Sequence, residues 1–151
     1  MVAPHSHSLR RGRVSIIDQV YVVTAATRHR QPVFSDWRLG RLVVAEFRHC
    51  DALGHSETLA YVVMPDHFHW LMRLRSATLD QVVRRVKGRS AVAVNRLRGA
   101  GGPLWQDGFH DRAIRREEDL RAVARYIVAN PLRARLAPSL ALYPLWDAVW
   151  L

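Results

Sequence analysis

The apolar and polar positions of this chain change period along its length, and the changes predict its elements. Residues 20–24, Val20-Tyr21-Val22-Val23-Thr24, are rich in β-branched and aromatic side chains and predict a strand. Ser35 or Asp36 can cap a helix that carries Trp37, Val43, Val44 and Phe47 and runs to about Cys50. Residues 59–64 and 67–75 predict two strands joined by a turn at Pro65-Asp66, where proline pre-sets φ. Thr78-Leu79-Asp80-Gln81 fits a capping box. It opens a helix through Val82, Val83, Val86, Val94 and Leu97 that ends near Gly99-Ala100-Gly101-Gly102. Residues 109–114 predict a fourth strand. Glu117, Glu118 and Asp119 then put negative charge on the first turn of a last helix, where the backbone dipole favours it. Asn130-Pro131 ends that helix, because a residue before proline avoids the α region. The tail at Tyr143-Pro144-Leu145-Trp146 is expected to pack back on the body.

The order strand, helix, strand, strand, helix, strand, helix contains the split βαββαβ pattern of ferredoxin-like folds. The expected class is α+β: an antiparallel sheet with helices on one face and the other face free to work. With 151 residues, a single domain is expected over residues 1–151, comprising a basic N-terminal arm over residues 1–15 and a C-terminal tail over residues 140–151.

Charge adds a partner to this picture. Lysine plus arginine total 23 against 13 acidic residues, a net +10, and Lys87 is the one lysine. GC-rich coding would also favour arginine over lysine, but it does not account for the net charge. A basic domain with forked guanidinium donors suggests a polyanion. One cysteine, Cys50, excludes an internal disulfide and a cysteine-rich metal site. No apolar run approaches a membrane span, and residues 1–8 lack the core of a signal peptide. A cytoplasmic location is expected.

Candidate chemistry sits on the third strand and the last helix. Side chains alternate faces along a strand, so Phe68, Trp70, Met72 and Leu74 share an apolar face while His67, His69, Leu71, Arg73 and Arg75 share the other. Two imidazoles two residues apart can hold one divalent ion, with a third ligand and open positions implied. The ordinary alternative is a pair of surface histidines at a strand start. On the last helix, Leu120, Val123, Ala124 and Ile127 form the core stripe, and Tyr126 falls beside it with Asn130 one turn on. In-line attack by the Tyr126 phenolate on a phosphodiester would displace a 3′-hydroxyl and leave a 5′-phosphotyrosine. Phenols ionise near pH ~10 in model peptides, so a nearby cation would help. Asn130 could supply the third metal ligand. Plain packing and a plain helix terminus are the alternatives for these two residues.

Four segments taken together resemble a known family. Tyr61-Val62-Val63-Met64-Pro65-Asp66-His67-Phe68-His69-Trp70-Leu71-Met72 is similar to the HUH motif of single-tyrosine transposases, in which two histidines flank a bulky apolar residue. Arg125-Tyr126-Ile127-Val128-Ala129-Asn130-Pro131-Leu132-Arg133-Ala134 resembles their tyrosine helix, and Leu104-Trp105-Gln106-Asp107-Gly108-Phe109-His110-Asp111-Arg112 the segment before it. Ser8-Leu9-Arg10-Arg11-Gly12-Arg13-Val14-Ser15 looks like the N-terminal signature of the REP-associated tyrosine transposases. The resemblance spans about residues 8–146.

It implies a ferredoxin-like core and a site-specific endonuclease and strand-transferase acting on single-stranded DNA that folds into palindromic hairpins. It implies Mg²⁺ or Mn²⁺ on His67 and His69, Tyr126 as nucleophile and Asn130 as third ligand. Related insertion-sequence enzymes often have glutamine at that last position, one methylene longer. It also implies a monomer carrying its tyrosine in cis, the dimer with exchanged helices being the alternative. Arg10, Arg11, Gly12 and Arg13 are expected to hold DNA beside the hairpin, and Arg84, Arg85, Lys87 and Arg89 its stem phosphates. Trp105 is a candidate for stacking on an unpaired base, with core packing as its alternative. The rival functions are a hairpin-binding regulator that no longer cleaves and a metal-dependent ribonuclease, which would not need Tyr126.

Overall fold

The computed structural model describes residues 15–150. The basic cluster Arg10, Arg11, Gly12 and Arg13 lies outside the described residues. The chain runs β1 (Val20–Ala26), α1 (Trp37–Ala52), β2 (Ser56–Met64), β3 (His67–Leu74), α2 (Leu79–Arg98), β4 (His110–Ile114), α3 (Glu117–Val128), a single turn α4 (Asn130–Arg133) and β5 (Trp146–Ala148). Five strands form one antiparallel sheet in the order β4-β1-β3-β2-β5. The first four strands reproduce the expected split βαββαβ arrangement. No helix among the described residues is long and apolar enough to cross a membrane.

Local chemistry sets the element ends. Asp36 accepts from the Arg38 amide to cap α1. Thr78 and Gln81 form the complete capping box of α2, and Gly99 ends that helix at φ 66°, a left-handed value that glycine adopts without steric cost. Between β2 and β3 the chain turns through Pro65 and Asp66, with Met64 paired to His67. Thr27, wholly buried, braces that turn by donating from both its amide and its hydroxyl to the Asp66 carbonyl.

The alternation along β3 divides the molecule. Phe68, Trp70, Met72 and Leu74 are buried with Val43 and Phe47 of α1 and Val82, Val83 and Val86 of α2. The histidine face is not left bare, contrary to expectation. Leu120, Ala124, Ile127 and Val128 of α3 pack there on Val20, Ala60, Val62, Leu71 and Ile114. The reason is reciprocal: the apolar stripe of α3 needs cover, and this face of the sheet is apolar at its centre. The tail returns as expected. Leu145 enters the first core, the Tyr143 hydroxyl donates to the Val63 carbonyl at 2.7 Å, and β5 extends the sheet beside β2.

Candidate functional site

His67 and His69 stand on the face that α3 partly covers, with ring centroids 4.9 Å apart. Each ring is oriented through its Nδ1. His67 Nδ1 lies 2.7 Å from Asp66 Oδ1, and Asp66 Oδ2 in turn accepts from Arg30 Nε at 3.0 Å. His69 Nδ1 lies 2.7 Å from Thr24 Oγ1, its cross-strand partner on β1. Both rings therefore keep Nε2 for another ligand. Burial alone would push the Asp66 carboxyl up, but His67 and Arg30 outweigh it and hold it below the ordinary carboxylate range. Burial, then the charges of His67, Arg133 and Arg30, push His69 down to about 4. The His69 ring is thus neutral at pH 7, the form that can donate a lone pair to a cation. Imidazoles oriented by a carboxylate or hydroxyl are the arrangement that metal-binding histidines need.

The pair has no third partner of the usual kinds. Among the described residues no group of three His, Cys, Asp or Glu side chains gathers to hold a metal. A remaining ligand would be an amide, water or substrate oxygen. Asn130, expected in that role, has its Oδ1 accepting from Arg133 Nη2 at 2.5 Å, while its Nδ2 is buried without a partner. The residues fit a divalent ion at two positions, with the third amide engaged elsewhere.

Tyr126 comes to the same place from α3. It lines a cavity of about 520 Å³ together with Val22, Thr24, His69, His110 and Arg112. The helix packs its apolar stripe over β2 and β5, which leaves this space above β1 and β4. Tyr126 is 65% exposed, so its hydroxyl is reachable from solvent. The Arg133 guanidinium covers its ring, 3.9 Å from the centroid.

The residues expected to hold DNA separate from this site. Arg84, Arg85, Lys87 and Arg89 lie on α2, the layer behind the opposite face of the sheet. Arg84 and Arg89 sit at ion-pair distance from Asp80 (3.4 Å) and Glu46 (2.8 Å), beside a groove that Arg85 and Arg96 also line. Lys87 departs from expectation: its Nζ donates to the carbonyls of Gln106 and Gly108 at 2.7 and 2.6 Å, clamping the loop before β4 instead of facing solvent. Trp105 departs too. It is 6% exposed, packs on Phe34 and Phe68, and donates from Nε1 to Ser90 Oγ at 3.1 Å. Core packing, not base stacking, accounts for it. Thr24, Asp66, Arg30, Arg112 and Arg133 were not singled out by sequence, because cross-strand partners and loop approach leave no periodic signal.

Comparison with known proteins matches this architecture. The model of the family described as IS200-like transposase matches residues 15–130. A REP-associated tyrosine transposase, solved bound to a REP hairpin, superposes with a TM-score of 0.70 at 22% identity, covering 89% of this chain and 79% of that one. A protein from Deinococcus radiodurans R1 described as a transposase superposes with a TM-score of 0.52 at 22% identity, covering 74% of this chain and 91% of that one. At that identity the superpositions speak for the fold. No curated protein matches in sequence.

Proposed function

The chain belongs to the IS200-like transposase family, and from that premise we propose that it cuts and rejoins single-stranded DNA beside palindromic hairpins, with Tyr126 as nucleophile. One observation carries this reading: Tyr126 of α3 and His69 of β3, far apart in sequence, line a single cavity. The likeness in fold to a transposase solved with a REP hairpin supports hairpin DNA as the substrate. Because one chain supplies both residues, a monomer acting in cis is the matching assembly.

The phenolic oxygen of Tyr126 attacks the phosphorus of a phosphodiester. A Tyr–O–P bond forms, the P–O3′ bond breaks, and the 3′-oxygen leaves to take up a proton. The 5′-phosphotyrosine conserves the bond energy, so attack by another 3′-hydroxyl reseals the strand and restores the phenol. His67 and His69 would hold a divalent ion, Mg²⁺ or Mn²⁺, through their Nε2 atoms, and Asn130 Oδ1 is the candidate third ligand. The ion when bound would neutralise the phosphate and polarise the bond that breaks. Asp66 and Thr24 keep the rings aimed. Arg112, at the cavity wall, adds a positive charge for the strand.

The test is a denaturing gel of the protein incubated with labelled palindromic single strands and Mn²⁺. A denaturant-resistant adduct is expected, and Tyr126→Phe should remove it while hairpin affinity stays within about twofold. Cleavage that survives in Tyr126→Phe, or that occurs on RNA alone, contradicts the proposal. Binding without any adduct favours the regulator.

A further inference from the structure

Arg133 holds three partners at once. Its guanidinium lies 3.9 Å from the Tyr126 ring centroid, and its Nη2 donates to the Tyr126 carbonyl at 2.6 Å and to Asn130 Oδ1 at 2.5 Å. Asn130 Nδ2, meanwhile, is buried with no partner. One exposed side chain thus ties together the nucleophile's ring and the amide oxygen that the cation site lacks.

We propose that Arg133 is a phosphate-released latch, which holds Asn130 Oδ1 away from the histidine pair until a DNA phosphate draws the guanidinium off. This rests on the reading of His67, His69 and Asn130 as the ligand set. A guanidinium donating to an amide oxygen competes with a cation for that oxygen, and repels the cation by its charge. A phosphodiester is the stronger partner: it is anionic and matches the guanidinium fork with two oxygens, whereas the present partners are a neutral amide, a carbonyl and a ring face. Once Arg133 moves to phosphate, Asn130 Oδ1 is free to turn to the cation, and the Tyr126 ring loses its cover. DNA and metal then strengthen each other's binding, as linkage requires of any such coupling. Arg133 is a positioning residue in this scheme, and the cut is withheld until the strand is seated.

The readout is Mn²⁺ binding to the DNA-free protein, followed by electron paramagnetic resonance of the free ion. Arg133→Gln removes charge and fork, and Arg133→Lys keeps the charge and loses the fork. Both should bind Mn²⁺ more tightly than the parent, by about tenfold. Adding Asn130→Ala to Arg133→Gln should abolish the gain. His67→Ala should weaken binding in the parent and in Arg133→Gln alike. Thermal melts confirm folding, which substitution of an exposed residue should spare. Absence of a gain in either single variant overturns the latch. So does a gain confined to Arg133→Gln that survives Asn130→Ala, which would be repulsion alone. If His67→Ala leaves Mn²⁺ affinity unchanged, the ligand set itself is wrong and the latch falls with it.

Discussion

Thr24 and His69 face each other across β1 and β3, with Thr24 Oγ1 2.7 Å from His69 Nδ1. The hydroxyl fixes which ring nitrogen stays free, and it does so from a strand far from the histidines in sequence. Thr24→Val keeps the shape and deletes the oxygen. Mn²⁺ affinity should fall about tenfold, as losses behind a metal ligand do, with strand cleavage falling alongside. Calorimetric titration with thermal melts checks this. A variant that binds metal as the parent does would show that the ring needs no such support.

Acid should weaken the metal-free protein through the same histidine. A free histidine takes its proton near 6.5, whereas burial, then the neighbouring charges of His67, Arg133 and Arg30, holds His69 at about 4. Between those values the unfolded chain binds a proton that the folded chain refuses. The contribution is therefore complete above pH 6.5 and is lost as pH falls through 4, by at most about 3 kcal/mol. Urea melts in chelator should show the parent losing stability over that window, and His69→Gln a flatter profile. Parallel profiles would contradict the assignment.

Trp105 and Lys87 should behave as structural residues. Trp105→Phe loses the bond to Ser90 and should cost about 1–2 kcal/mol, with hairpin affinity of the folded variant unchanged within about twofold. Lys87→Met should speed amide exchange across residues 106–108 and leave the salt dependence of DNA binding as it is. A shallower salt slope would restore Lys87 as a phosphate contact.

The sheet was legible because strands declare themselves by period two. The alternation of Phe68, Trp70, Met72 and Leu74 against His67, His69 and Leu71 assigned both faces of β3 correctly. Capping chemistry at Asp36 and Thr78 fixed the helix starts. What α3 packs against was not legible, since an amphipathic stripe says that a face is buried but not beneath what. β5, Trp146–Ala148, is too short to show a period. Trp105 reads the same in sequence whether it stacks on a base or on Phe34. Lys87 reads as surface charge because its acceptors are backbone carbonyls, which every residue carries. The contacts of Arg133 belong to a helix end whose geometry no pattern encodes.

The account turns on one bond, between the oxygen of Tyr126 and a DNA phosphate. Proteolysis of the protein–DNA adduct followed by mass spectrometry locates it directly. The account predicts a nucleotide 5′-phosphate carried by the peptide that contains Tyr126, and its loss in Tyr126→Phe. A nucleotide on any other residue, or strand cleavage with no modified peptide at all, would contradict it.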